Sequence, residues 1–247
     1  MLRFRASVAV LAILIAAIPI SGAVSAPKRF DFSRVDRLLS DSLRTIAGSA
    51  GGLALLVWKD GKLIYDKAYV LPGKRFSKET VVPVASATKL VSSAMLMAMV
   101  DRKKISLDDS LGAFFNPIPI EKSSIKIRHL LSHTSGIADA FLIREETPCL
   151  TDWDINLEKC AVEILGLGQA YSPGNKFIYG NHSMQVSGRV MELAFRNGRE
   201  SGDSWNEAFN ALFAGPLSMD SSRFASPVGS PQNPLIGGGC FPMPPTI

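Results

Sequence analysis

Val84-Ala85-Ser86-Ala87-Thr88-Lys89 runs directly into the apolar stretch 90–100 (LVSSAMLMAMV), and on this passage the reading of the whole chain turns. The stretch predicts a buried helix, with Leu90, Ala94, Met97 and Ala98 along its inner face. A serine at a helix start ordinarily caps free backbone N–H groups. Lys89, three residues on and one turn away on the same face, adds a second reading. A serine hydroxyl is a weak nucleophile until a base takes its proton, and a lysine in a tight, desolvated pocket can have its pKa lowered enough to help. The helix N-terminus also favours negative charge developing on an attacked carbonyl. Alone, Ser-x-x-Lys recurs by chance.

Upstream, 53–58 (LALLVW) and 63–69 (LIYDKAY) are β-rich runs flanking Lys59-Asp60-Gly61-Lys62, and the Asp-Gly pair predicts a hairpin. Before it, 31–47 places Val35, Leu38, Leu39, Ser42 and Ile46 at helical spacing and stops at Gly48. Downstream, a short helix over 127–132 ends in His133-Thr134-Ser135-Gly136, and further helices are predicted over 157–165, 183–195 and 205–213. No repeat or low-complexity tract interrupts this order. Residues 226–247 differ: six of the 15 prolines, the run Gly237-Gly238-Gly239 and no periodicity. Prolines lack the N–H that a sheet ladder or a helix needs, so no element is predicted there.

The composition is that of a globular chain: 247 residues, 47% hydrophobic and 20% charged, which excludes collagen-like, disordered and coiled-coil classes. The length suits one or two domains with a sizeable core. The net charge is +5, and no Lys/Arg stripe interleaves with aromatics, so no nucleic-acid partner is expected. Arg3 and Arg5, the apolar run 6–20 and the small residues that follow describe a secretory signal peptide, 1–23. Cleavage after Ala23 is favoured over Ala26, which Pro27 would follow. An uncleaved anchor is the alternative, but the run is shorter than the ~20 residues that span a bilayer. The expected location is therefore periplasmic or secreted, with no membrane span after signal removal, and no cysteine at the cleavage site marks a lipoprotein. Export permits disulfides. Of Cys149, Cys160 and Cys240, the first two flank a short polar stretch and could close a small loop; three unpaired thiols are the alternative.

A second constellation is Phe177-Ile178-Tyr179-Gly180-Asn181, before the predicted helix 183–195. Tyr179 and Asn181 are two apart in a loop, so both can point the same way. A tyrosine in an apolar stretch is commonly a core residue with a satisfied hydroxyl. Beside an ammonium, the phenol could instead ionise and act as a general base, while Asn181 holds a substrate carbonyl. Other constellations are weaker. There is no Gly-x-Ser-x-Gly elbow and no Gly-rich phosphate loop. His129 and His133 are four apart, with His182 distant, but no His-Glu-x-x-His surrounds them, so no metal is expected.

Taken in order, LALLVWKDGKLIYDKAY, VVPVASATKL, KISLDDSLGAFFN, IKIRHLLSHTSGI, YSPGNKFIYGN and NPLIGGG resemble the serine β-lactamase and penicillin-binding-protein-like superfamily, and within it the class C β-lactamase, esterase and D-alanyl-D-alanine carboxypeptidase branch. The resemblance covers 30–239, a single serine-hydrolase domain, and leaves 240–247 as a tail outside it. It implies an α+β fold, an antiparallel sheet flanked by helices plus a helical region. It implies Ser86 as the acyl-forming nucleophile, Lys89 as its activating partner and Tyr179 as the general base. Asn181 would contact the substrate amide and orient Lys89, and the Ser86 N–H would be one half of the oxyanion hole. No cofactor is implied, and the partner is a small-molecule or peptide substrate turned over through an acyl-serine.

One departure stands out. The family carries a third motif, Lys-Thr-Gly or a variant, on a strand beyond the Gly-rich segment, and that strand supplies the second oxyanion donor. Nothing like it follows Tyr179. The resemblance therefore implies roughly the first two-thirds of the family domain, with the C-terminal strands missing. Loss of one oxyanion donor costs about 10²–10³ in rate. A lone hairpin with open edges is marginal in water, which predicts poor solubility. The leading expectation is an exported serine hydrolase acting on an ester, amide or β-lactam, of esterase or amidase type; the alternative is an inactive truncated fragment or pseudoenzyme. A periplasmic binding or scaffold module has only the generic fold behind it.

Overall fold

The computed structural model describes residues 30–47, 51–138, 148–150, 155–196, 205–224, 233–238 and 240–242. The predicted signal peptide and its cleavage site lie outside them. Helix α1 (Ser33–Ala47) packs on an antiparallel hairpin of β1 (Gly52–Lys59) and β2 (Lys62–Val70). Lys59 pairs with Lys62 across Asp60 and Gly61, whose φ angles are 48° and 71°. Positive φ at both central residues is the turn that Asp-Gly favours, because its twist matches that of the strands. Pairing runs from Gly52–Val70 to Val57–Tyr65, then shifts so that Trp58 faces Leu63 and Ile64 is the extra residue.

Asp36 fastens α1 to the hairpin. Its carboxylate accepts from the Tyr65 hydroxyl at 2.7 Å, the Tyr69 hydroxyl at 2.6 Å and the Lys67 ammonium. Lys67 first, then Tyr69 and Tyr65, hold that carboxyl well below the usual carboxylate range. On this helix Val35, Leu39 and Ser42 are half-buried while Leu38 and Ile46 stay exposed, so the predicted stripe is only partly covered. The opposite face of the hairpin exposes Leu56, Trp58, Leu63 and Val70, a stripe of the kind that promotes association.

A 3₁₀ turn at Ala85–Ala87 leads into α2 (Thr88–Asp101). Two short helices, α3 (Ile120–Ser123) and α4 (Ile127–Leu131), precede α5 (Leu157–Gly166) and the central α6 (His182–Arg196), whose residues from His182 to Glu192 are all buried. Helix α7 (Trp205–Phe209) continues as a π-helical turn over Asn210–Ala214. The core gathers Met95, Leu96 and Met99 of α2, Ile164 of α5, Val190 of α6 and Trp205 of α7. This is the predicted α+β arrangement, a hairpin with its helix beside a helical region.

Two local expectations are corrected. Helix α2 buries Thr88, Lys89, Ser92, Met95, Leu96 and Met99, not the predicted face, and Leu90 is 78% exposed. The helix is apolar all round, so periodicity could not fix its rotation; the polar contacts of Lys89 with Asn181 and Gly237 and of Ser92 with Ile236 did. Cys240–Pro242 forms β4, paired antiparallel with β3 (Ser222–Phe224), where the proline run predicts no strand. Pro242 is the last paired residue of a two-stranded ribbon, a position where a missing N–H costs little.

Cys149 and Cys160 are joined by a disulfide, Cα–Cα 5.1 Å, which ties the segment Pro148–Leu150 to α5 across 11 residues. Closing a loop of that size restricts the unfolded chain and is worth about 3 kcal/mol. Reduction is expected to lower the urea midpoint accordingly at similar slope; an unchanged midpoint would show that the two thiols are not paired. Among the described residues no helix is long and apolar enough to cross a membrane.

Candidate active site

Ser86 lies in the 3₁₀ turn and is exposed. The cap positions of the turn and of α2 fall on Val84 and Ala87, neither with a side-chain cap, so the Ser86 hydroxyl is not serving as one. Ala85, just before it, has φ 45°. For an alanine the left-handed region costs roughly 1–2 kcal/mol, and such strain concentrates at functional turns. The turn sets Ser86 above the first turn of α2, where the leading N–H groups lack intrahelical acceptors.

Lys89 is buried and donates three ways: to Gly237 O at 2.7 Å, to Asn181 Oδ1 at 3.0 Å and to Ser86 Oγ at 3.3 Å. An ammonium has three N–H donors and no acceptor, so this arrangement uses all of them. Because Ser86 Oγ accepts from Lys89, its own proton is left to point elsewhere. The Lys89 nitrogen also stands 4.7 Å from the centre of the Tyr179 ring.

The loop carrying Tyr179 and Asn181 is held by the His133-Thr134-Ser135-Gly136 segment that follows α4. Ile178 N donates to His133 O, Gly174 N to Thr134 O and Ala170 N to Gly136 O, each at 2.8 Å. Gly136 has φ 76°, and a Cβ there would fall 1.8 Å from Tyr171 O, so only glycine permits this approach. Ser135 Oγ bonds Ser183 Oγ at 2.7 Å, fixing the segment to the start of α6. The Tyr179 ring packs against His133 at 4.8 Å between centroids, and His133 meets Phe177 edge-on at 5.8 Å. Hydrogen bonding to Ser86 first, and then to Lys89, draws the Tyr179 phenol below its usual range.

A third segment closes the far side of Lys89. Residues 233–238 lie along α2 and α6: Ser92 Oγ donates to Ile236 O at 2.7 Å, and Gln185 bonds residues 233, 234 and 236. Close approach needs two glycines. A Cβ on Gly188 would sit 2.6 Å from Ile236 Cγ1, and one on Gly237 would sit 2.4 Å from Asn181 Oδ1.

The four residues singled out in the sequence therefore meet at one place: the Tyr179 phenol and the Lys89 ammonium reach Ser86, and the Asn181 amide holds Lys89. Ser92 and Gln185 were not singled out, and His133 and Gly237 were named only as a weak metal candidate and as part of a glycine run. Gly237 had a signal in the sequence, a glycine run where a backbone approaches other atoms closely, whereas Gln185 and Ser92 look like ordinary helix residues. The histidines serve elsewhere: His129 Nδ1 accepts from Lys126 N at 3.2 Å, and His182 Nδ1 contacts Ala138 O. Among the described residues no group of three or more His, Cys, Asp or Glu side chains could hold a metal ion.

A nucleophile, an ammonium, a phenol drawn toward ionisation and an amide are the groups that acyl transfer through a serine uses. The chain is 28% identical over 191 residues to penicillin-binding protein 4 of Amycolatopsis lactamdurans, covering 74% of this chain and 46% of that one. It is 26% identical over 220 residues to esterase EstB of Burkholderia gladioli, covering 78% and 52%. A crystal structure of a candidate beta-lactamase from Bacteroides dorei superposes with TM-score 0.69 at 33% identity, over 87% of this chain and 60% of that one. The chain thus spans about half the length of the curated relatives it matches. The beta-lactamase family model matches residues 35–235, which include every group described around Ser86 except Ile236 and Gly237, and the chain belongs to that family.

Proposed function

We propose that the chain is an exported serine hydrolase that turns over an ester, amide or β-lactam through an acyl-serine on Ser86. The observation that carries this reading is the convergence of Lys89 Nζ on Ser86 Oγ and Asn181 Oδ1, beside a Tyr179 phenol drawn below its usual range by Ser86 and Lys89. As a phenolate, Tyr179 takes the Ser86 proton while Oγ forms a bond to the substrate carbonyl carbon. The resulting oxyanion is met by the Ser86 N–H at the helix start, and Asn181 Nδ2 steadies the acyl side. Collapse breaks the bond to the leaving group, which departs with the proton from Tyr179. Water then attacks the acyl carbon, Tyr179 again taking the proton; as the bond to Ser86 Oγ breaks, that proton passes from Tyr179 to Oγ, which restores the serine hydroxyl and the phenolate. Lys89 stays an ammonium throughout, stabilising the phenolate and holding Ser86 Oγ in line.

The two named relatives, a penicillin-binding protein and an esterase, bracket the substrate class. Among the described residues around Ser86 none selects a β-lactam ring, and we take the esterase or amidase side. Export rests on the basic start, apolar run and small residues of 1–23, and places the enzyme in the periplasm or outside the cell. The test is intact-mass analysis of the full chain after brief exposure to p-nitrophenyl butyrate and, separately, to benzylpenicillin. An adduct mapping to Ser86 with the ester is expected. No adduct with either reagent overturns the reading in favour of a pseudoenzyme.

A further inference from the structure

Gln185 sits on α6 one turn beyond Asn181, is fully buried, and donates its backbone N–H to Asn181 O at 2.9 Å. Its side-chain amide is directed wholly into the segment 233–238. Nε2 donates to Asn233 Oδ1 at 2.8 Å and to Pro234 O at 3.0 Å, while Oε1 accepts from Ile236 N at 3.1 Å. The orientation of the amide is fixed by its partners, since Pro234 O can only accept and the Ile236 N–H can only donate. Asn233 in turn donates Nδ2 to Cys149 O at 2.7 Å, on the disulfide-linked segment. One residue beyond Ile236, the Gly237 carbonyl makes the shortest of the three Lys89 hydrogen bonds, 2.7 Å against 3.0 Å and 3.3 Å.

We infer that Gln185 is a positioning residue for the Ser86 reaction: by clamping residues 233–236 to α6, it sets the Gly237 carbonyl that holds the Lys89 ammonium against Ser86 and Asn181. The inference rests on the function proposed above. A buried glutamine that only satisfied this segment's backbone would stabilise the fold without touching the chemistry. The clamp differs, because its last link is the side chain that orients the nucleophile and faces the base. With the Gly237 carbonyl displaced, Lys89 swings from Ser86 and Tyr179, and the phenol loses part of what keeps it below its usual range. The titratable groups at this point are Lys89 and Tyr179, with His133 packed on the far face of the Tyr179 ring.

The experiment compares Gln185→Met, which keeps length and removes the amide, with Ser92→Ala, a milder variant that loosens the same segment at Ile236. Each is measured in the full chain for ester turnover against pH and for the Lys89 Cε chemical shift in 13C-lysine-labelled protein. The expected result for Gln185→Met is a 10- to 100-fold fall in kcat with KM within about threefold, an acid limb moved to higher pH, and a displaced Lys89 signal. Ser92→Ala shows the same pattern at smaller amplitude. If both variants lose only thermal stability, while kcat, the limb and the Lys89 signal match the wild type, the inference is overturned. If the wild-type chain turns over no ester, the proposed function fails on its own, and the Lys89 signal still decides whether Gln185 sets that side chain.

Discussion

Ser86→Ala is expected to leave no acyl adduct and to reduce ester turnover by roughly 10⁴-fold or more, to the background of the buffer, as removal of a serine nucleophile does elsewhere. The fold should be indifferent to the change. Ser86 is exposed, occupies neither cap position, and gives up a long hydrogen bond from Lys89 and its hydrogen bond with the Tyr179 phenol. Lys89 keeps its two shorter bonds, to Gly237 O and Asn181 Oδ1. A surface change of this kind alters stability by at most about 0.5 kcal/mol, so the variant should unfold at the wild-type midpoint. An Ser86→Ala protein that still hydrolyses ester at a wild-type rate would move the nucleophile to another residue.

That prediction could be framed from the sequence because the parts concerned are local. Asp60-Gly61 announces a turn that only positive φ can make, and the structure has both residues there. The runs that become α5 and α6 carry their period in the sequence, and their observed limits fall within a residue or so of the predicted ones. Ser86 and Lys89 are bound to one turn of helix by their spacing alone. What the sequence concealed is decided by contacts far along the chain. The rotation of α2 depends on Ser92 meeting Ile236, 144 residues away. The segment 233–238 has no period, and Gly237 is explained only by the approach of the Asn181 and Lys89 side chains. Gln185 occupies a position on α6 that an apolar residue would fill equally well, and its meaning appears only when Asn233, Pro234 and Ile236 are laid against it. The proline-rich stretch after it is legible as a poor strand former, yet three of its residues find a partner in β3.

Tyr179→Phe separates the base from the rest of the site. The ring should stay on His133, since the substitution removes only the hydroxyl of a half-exposed side chain. Turnover is expected to fall by roughly 10²–10⁴-fold, the usual worth of a general base, with KM little changed. The pH profile gives the sharper reading. In the proposed mechanism the reactive form is the phenolate, so the wild-type rate is expected to climb as pH rises through the Tyr179 pKa and to level off above it. Ser86 first and Lys89 second lower that pKa, so the limb lies below the ordinary tyrosine range. The same depression makes the folded state bind the proton less tightly than the unfolded chain does. Tyr179 therefore adds to stability as pH rises from its folded pKa toward the unfolded value, and adds nothing below it. In Tyr179→Phe both the limb and that rise in stability disappear together. In Lys89→Met, where the phenol remains but one of its partners is gone, the limb survives and shifts upward. If Tyr179→Phe keeps the wild-type limb, the proton of Ser86 goes to Lys89 instead, and the roles of the two residues must be exchanged.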